Sequence, residues 1–96
     1  MCNESSVLFE YDAAKSLTNV AKHGIDFEAV QEMWDGVVVA APARFVGEDR
    51  IMAIGQIDGK HWTAIVTPRG PALRIISARR SRTNEIKIYQ DHSSKS

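Results

Sequence analysis

Asp58-Gly59 lies between two apolar, β-branched runs, residues 50–57 and 61–67, and this pair narrows the available folds more than any other feature of the chain. Both central residues of a two-residue hairpin turn need positive φ, which Asp and Gly tolerate, so the two runs are predicted to pair as antiparallel strands. Residues 37–41 precede them as a further strand across a loop from Pro42 to Asp49. Residues 68–71, Pro-Arg-Gly-Pro, turn the chain into a last strand over 72–78. Alternation in that strand predicts Arg74 on one face with Ile76 and Ala78, and Leu73, Ile75 and Ser77 on the other.

Upstream, the pattern is helical. Residues 7–11 read as a short strand closed by Asp12, a good N-cap, and residues 13–23 run without Pro or Gly to Gly24, a natural helix stop. At roughly 100° of rotation per residue, Ala13, Ala14, Leu17, Val20 and Ala21 share an arc of about 120° that is expected to face the core. Asp12, Lys15, Asn19, Lys22 and His23 fall on the other side and make it polar and mostly basic. A second helix is predicted over 25–36, with Asp26 as cap and Phe27, Val30, Met33 and Trp34 as packing residues. Ser81 is expected to cap a final helix that turns Ile86 and Tyr89 inward. The expectation is an α+β fold with an N-terminal strand and two helices, an antiparallel four-stranded sheet and a C-terminal helix.

Ninety-six residues cannot sustain two cores, so residues 7–90 are read as a single domain, with a flexible leader at 1–6 and a disordered tail at 91–96. Cys2, the single cysteine, can form no intramolecular disulfide, and the leader lacks the regions of a signal peptide. No apolar stretch is long enough to cross a membrane as a helix. A cytoplasmic protein without membrane attachment is expected. His23, His61 and His92 show no paired zinc spacing, and no glycine-rich phosphate loop joins a strand to a helix, so neither a metal nor a cofactor is expected.

Net charge is zero, yet residues 1–59 carry −6 and residues 60–96 carry +6. Five arginines, Arg69, Arg74, Arg79, Arg80 and Arg82, lie within fourteen residues where the last strand hands over to a helix, and no acidic residue occurs from Lys60 to Asn84. A helix start presents free N–H groups and partial positive charge, and guanidinium matches phosphate geometry with paired hydrogen bonds. The cluster therefore reads as an anion site suited to the phosphodiester of a nucleic acid, with Trp62, Tyr11 or Phe9 as candidate stacking surfaces. His23 ends the first helix beside Lys22, where the helix dipole favours a protonated ring. Metal-free RNA cleavage needs a base for the ribose 2′-hydroxyl, cations at the phosphorus oxygens and an acid for the leaving 5′-oxygen. Lys22, His23 and the arginines could supply all three. A second reading stays open, in which the basic face only docks an acidic partner or nucleic acid without catalysis.

FEYDAAKSLTNVAKHGIDF, residues 9–27, resembles the signature of the BrnT toxins of bacterial type II toxin–antitoxin systems: an aromatic-Asp pair followed by spaced Lys, Asn, Lys-His-Gly and Phe. RIISARR, residues 74–80, followed by a polar helix with Glu85, resembles the second signature, and Arg50 ahead of Ile54-Gly55 a middle one. The likeness runs from Phe9 to Tyr89; Tyr11 stands where the family usually has tryptophan. What the resemblance implies is a RelE-like fold and a metal-independent endoribonuclease that arrests translation until a BrnA-type antitoxin neutralises it. It also implies a toxin dimer joined to two antitoxins that bind operator DNA. Lys22, His23, Arg74, Arg79 and Arg80 carry over as active-site candidates, and Lys15 and Asn19 share the polar helix face. With Trp62, Arg69 and Arg82 they complete the expected RNA-binding set.

Overall fold

The structure, a computed structural model, describes residues 8–42 and 50–93. The leader with Cys2, most of the expected 42–49 loop and residues 94–96 lie outside the described residues.

Five strands form one mixed sheet: β1 (Leu8–Glu10), β2 (Val39–Pro42), β3 (Ile51–Ile57), β4 (Lys60–Arg69) and β5 (Ala72–Arg80), in the order β1-β5-β4-β3-β2. The last four are antiparallel neighbours, as expected. The N-terminal strand, expected to stand apart from a four-stranded sheet, instead pairs parallel with β5, Glu10 opposite Arg74. A three-residue strand cannot satisfy its own backbone groups, so it borrows the open edge of β5.

Asp58 (φ 52°) and Gly59 (φ 77°) form the β3–β4 turn as predicted. The next turn is tighter than expected. Pro68 and Arg69 remain in β4, and Gly70, in the left-handed region at φ 59°, turns the chain with Pro71.

Asp12 caps α1 (Ala13–His23), accepting the N–H groups of Ala14 and Lys15, and Gly24 stops it at φ 82°. The segment expected to be a second α-helix is a 3₁₀ helix, Ala29–Asp35. Asp26 does cap its entry, accepting the Ala29 N–H at 2.7 Å. Val30 and Met33 of this helix, with Phe27 from the turn ahead of it, pack over Ala53, Ala64, Val66, Ile75 and Ala78 on one face of the sheet. Gly55 in β3 lets Met33 pack closely there, since a Cβ on it would stand 3.1 Å from the Met33 Cβ and push that side chain back.

The C-terminal helix α2 (Thr83–Ser93) covers the opposite face, where Tyr89 packs with Val39 and Ile54. It runs to Ser93, through the start of the stretch expected to be a disordered tail. Ser81 is not its cap. The Glu85 carboxylate accepts the Arg82 N–H instead, and the Ser81 hydroxyl pairs with Thr63.

A bulge in β5 redirects its side chains. Ile65 pairs with Ser77 and Val66 with Ile75, which leaves Ile76 unpaired. The extra residue flips the alternation beyond it. Arg74 opposite Thr67, Ser77 opposite Ile65 and Arg79 opposite Thr63 thus share the α2 face, while Ala78 and Arg80 join Leu73 and Ile75 on the 3₁₀-helix face. The expected grouping of Arg74 with Ala78 is corrected accordingly.

Candidate functional site

Helix α1 sits against the outer edge of β5, beyond the point at Arg74 where pairing with β1 ends. Its orientation reverses the expected one. The residues it buries are polar, Ser16 and Asn19, at 8% and 6% exposure, whereas Leu17 and Val20 of the apolar arc are 71% and 42% exposed.

The reversal has a clear cause. Asn19 donates through Nδ2 to the Ala78 carbonyl (2.8 Å) and the Ile25 carbonyl (2.7 Å), and its Oδ1 accepts the Ala78 N–H (3.2 Å). Its carboxamide thus stands in for one residue of a neighbouring strand, closing both backbone groups of Ala78 at the sheet edge. Ser16 Oγ accepts the Phe27 N–H at 2.9 Å and fixes the chain leaving the helix. Asn19 is therefore interior, joining helix to strand, rather than on an exposed basic face.

With α1 turned this way, Lys15, Thr18, Lys22 and His23 line a cleft of about 210 Å³ whose remaining walls are Asn19, Ile76 and Ser77. Lys15 and Lys22 are two helical turns apart on one stripe, and both are exposed, as is His23. No carboxylate lines the cleft. Among the described residues, neither lysine makes an ion pair. Ser77 and Thr18 were absent from the sequence-predicted set. Strict alternation puts Ser77 on the face opposite Arg74, and the bulge at Ile76 brings the two onto one face.

The arginines form a second constellation, and acids of the same chain meet three of them. Arg79 makes two 2.7 Å bonds to Glu85, Nη1 to Oε1 and Nη2 to Oε2. Glu85 is 3% exposed and also accepts Thr63 Oγ1 (2.9 Å) and the Arg82 N–H (2.9 Å). Burial alone would raise the Glu85 pKa; the bonds from Arg79, Arg82 and Thr63, with the charge of Arg79, outweigh it and hold the group at about 2. The same bond to Glu85 raises the pKa of Arg79 against the opposing effect of burial. Arg74 lies 3.4 Å from Glu10 and Arg69 3.9 Å from it, both partly exposed pairs of little energetic weight.

Arg80 donates to the His61 carbonyl at 3.3 Å, and its guanidinium lies 5.4 Å from the centre of the half-buried Trp62 ring. Arg82 is exposed. Phe9 and Tyr11, the other stacking candidates, are partly buried and held edge-to-face against Trp34 and Phe27 respectively. Of the expected site, the structure thus gathers Lys15, Asn19, Lys22 and His23 into one cleft; the arginines and Trp62 do not line it. Two acids meet the cluster, Glu10 on the adjacent strand β1 and Glu85 three residues past Arg82.

Among the described residues, no group of three His, Cys, Asp or Glu side chains could hold a metal ion, and no helix is long and apolar enough to cross a membrane. Fold and site together define a small α+β domain with a cationic cleft at one sheet edge and, beside it, an arginine cluster in which three of five members meet acids of the same chain. Residues 11–85 match the family described as the ribonuclease toxin, BrnT, of type II toxin–antitoxin systems. The chain belongs to the BrnT family. No curated protein matches the chain.

Proposed function

We propose that the protein is a metal-independent endoribonuclease that seats an RNA phosphodiester in the cleft between α1 and β5. The observation that carries this reading is the stripe of Lys15, Lys22 and His23, which opens on the cleft with no carboxylate among its walls. In the proposed reaction a base takes the proton of the ribose 2′-hydroxyl and the freed oxygen attacks phosphorus. The bond to the 5′-oxygen breaks, and an acid returns a proton to it, leaving a 2′,3′-cyclic phosphate and a 5′-hydroxyl. His23 handles a proton, and Lys22 and Lys15 stabilise the charge that builds on the phosphorus oxygens.

Arg74 and Arg80, on opposite faces of β5, take flanking phosphates together with Arg69, Arg82 and the edge of Trp62. Arg79 and Asn19 act as positioning residues: the first fixes the end of β5 through Glu85, the second fixes α1. Residues 7–90 act as one domain, a variant of the RelE-like layout, in the cytoplasm. A BrnA-type antitoxin neutralises it, in an assembly of two toxins and two antitoxins that holds operator DNA.

The test is incubation of purified protein with single-stranded RNA in EDTA. Cleavage that leaves cyclic-phosphate ends supports the proposal. Salt-sensitive binding without cleavage under any condition would favour the second reading, a docking module.

A further inference from the structure

The hydrogen-bonding groups of the cleft between α1 and β5 are unevenly committed. Lys15 and Lys22 carry donors only, which suit a phosphate. Asn19 is taken up by the backbone of Ile25 and Ala78, and the Thr18 hydroxyl gives its hydrogen to the Ala14 carbonyl at 3.0 Å. His23 accepts only while its ring is neutral, and the proposed reaction uses that ring for a proton. Ser77 remains. Its half-buried hydroxyl can donate and accept at once, and among the described residues it bonds to no other group.

The bulge in β5 is what puts this hydroxyl in the cleft. Had the pairing of Val66 with Ile75 simply continued, Ile76 would oppose Ile65, and Ser77 would oppose Ala64 in the core. The extra residue instead sets Ser77 opposite Ile65, on the face of Arg74 and Arg79, with the unpaired Ile76 beside it on the cleft wall. On the outer edge of the strand, the Asn19 carboxamide closes the N–H and C=O of Ala78. The backbone that carries Ser77 is thus held from both edges, β4 on one side and α1 on the other. Bulges recur beside active sites, where they re-aim a side chain.

Two lysines neutralise a phosphate but recognise no sugar, since a deoxyribose strand presents them with the same charge. A ribose adds one group, the 2′-hydroxyl, itself donor and acceptor, by which a protein tells RNA from DNA. We propose that Ser77 is the specificity-determining residue of the cleft: its hydroxyl exchanges a hydrogen bond with a ribose 2′-hydroxyl, while Ile76 packs against the sugar, so that single-stranded RNA is held in preference to DNA. The assignment rests on the cleft being the nucleic-acid site.

The experiment measures the affinity of one short single-stranded sequence in its ribo and deoxy forms, in a His23→Ala protein so that the ribo strand is not consumed. With Ser77 intact the ribo strand is expected to bind about fivefold more tightly, the effect of one net hydrogen bond. Ser77→Ala is expected to remove that preference without weakening the deoxy strand. Ser77→Thr, which keeps the hydroxyl on a strand-favouring residue, is expected to retain it. A ribo preference that persists in Ser77→Ala overturns the proposal, as does an equal loss for both strands, which would make Ser77 a phosphate contact or a structural residue. Equal affinity for the two strands with Ser77 intact overturns it as well. K15A/K22A separates these outcomes from failure of the site itself: it should weaken both strands together, and if it weakens neither, the cleft is not the nucleic-acid site and both readings fall. If the protein cleaves no RNA, the catalytic reading fails while the affinity ratio still decides the role of Ser77.

Discussion

The two ends of the α1–β5–α2 unit handle charge in opposite ways. At the α2 end, Arg79 meets a nearly buried carboxylate in two 2.7 Å bonds, and Thr63 and a helix-start N–H complete the shell. At the α1 end, a neutral carboxamide makes the buried contacts, and the cations stand free around a cleft. A buried charge must be neutralised where it stands, whereas an exposed charge costs little and remains available to a ligand. Density of positive charge in sequence points to the arginines, while availability of charge in space points to Lys15 and Lys22, with His23 beside them.

The difference can be broken at the α2 end first. Glu85→Gln leaves the Arg79 charge uncompensated in a site that is mostly shielded from water, and is expected to cost about 3 kcal/mol or more of unfolding free energy. Urea denaturation measures it; a loss within experimental error would mean that the pair does not anchor α2.

Acid supplies a related test in the unaltered protein. The Glu85 pKa is lowered from 4.5 to about 2 on folding. Its contribution, about 3 kcal/mol at roughly 1.4 kcal/mol per pH unit, is thus fully present above pH 4.5 and is lost as pH falls from there towards 2. Stability measured against pH should fall through that window, and the fall should be much smaller in Glu85→Gln.

At the α1 end the expected loss is smaller. Asn19→Ala removes three hydrogen bonds and strands both backbone groups of Ala78, at about 2 kcal/mol, and amide exchange of Ala78 should accelerate. Lys22→Ala and His23→Ala, at exposed positions, should shift stability by no more than about 0.5 kcal/mol.

Much of this framework was legible in the chain because local chemistry decides it. Asp58-Gly59, Asp12 and Gly24 each act within a few residues, and each sits where its backbone preference predicts. The two larger misreadings come from non-local pairings. Periodicity located the apolar arc of α1 correctly, but three bonds from Asn19 to residues 25 and 78, and one from Phe27 to Ser16, turned it outward. The bulge at Ile76 depends on register with β4, so strict alternation along β5 could not reveal that Arg74 shares a face with Ser77 and Arg79. Glu85 did carry a local signal, standing three residues after Arg82 at capping-box spacing.

The central claim is that Lys22 and His23 of α1, and not the arginine cluster that meets Glu10 and Glu85, do the chemistry. Its most direct test is the rate of single-stranded RNA cleavage in EDTA by Lys22→Ala and His23→Ala, with melting temperatures measured on the same samples. The account predicts a loss of about a hundredfold or more in each variant with melting temperatures unchanged. Wild-type cleavage rates in both folded variants would contradict it.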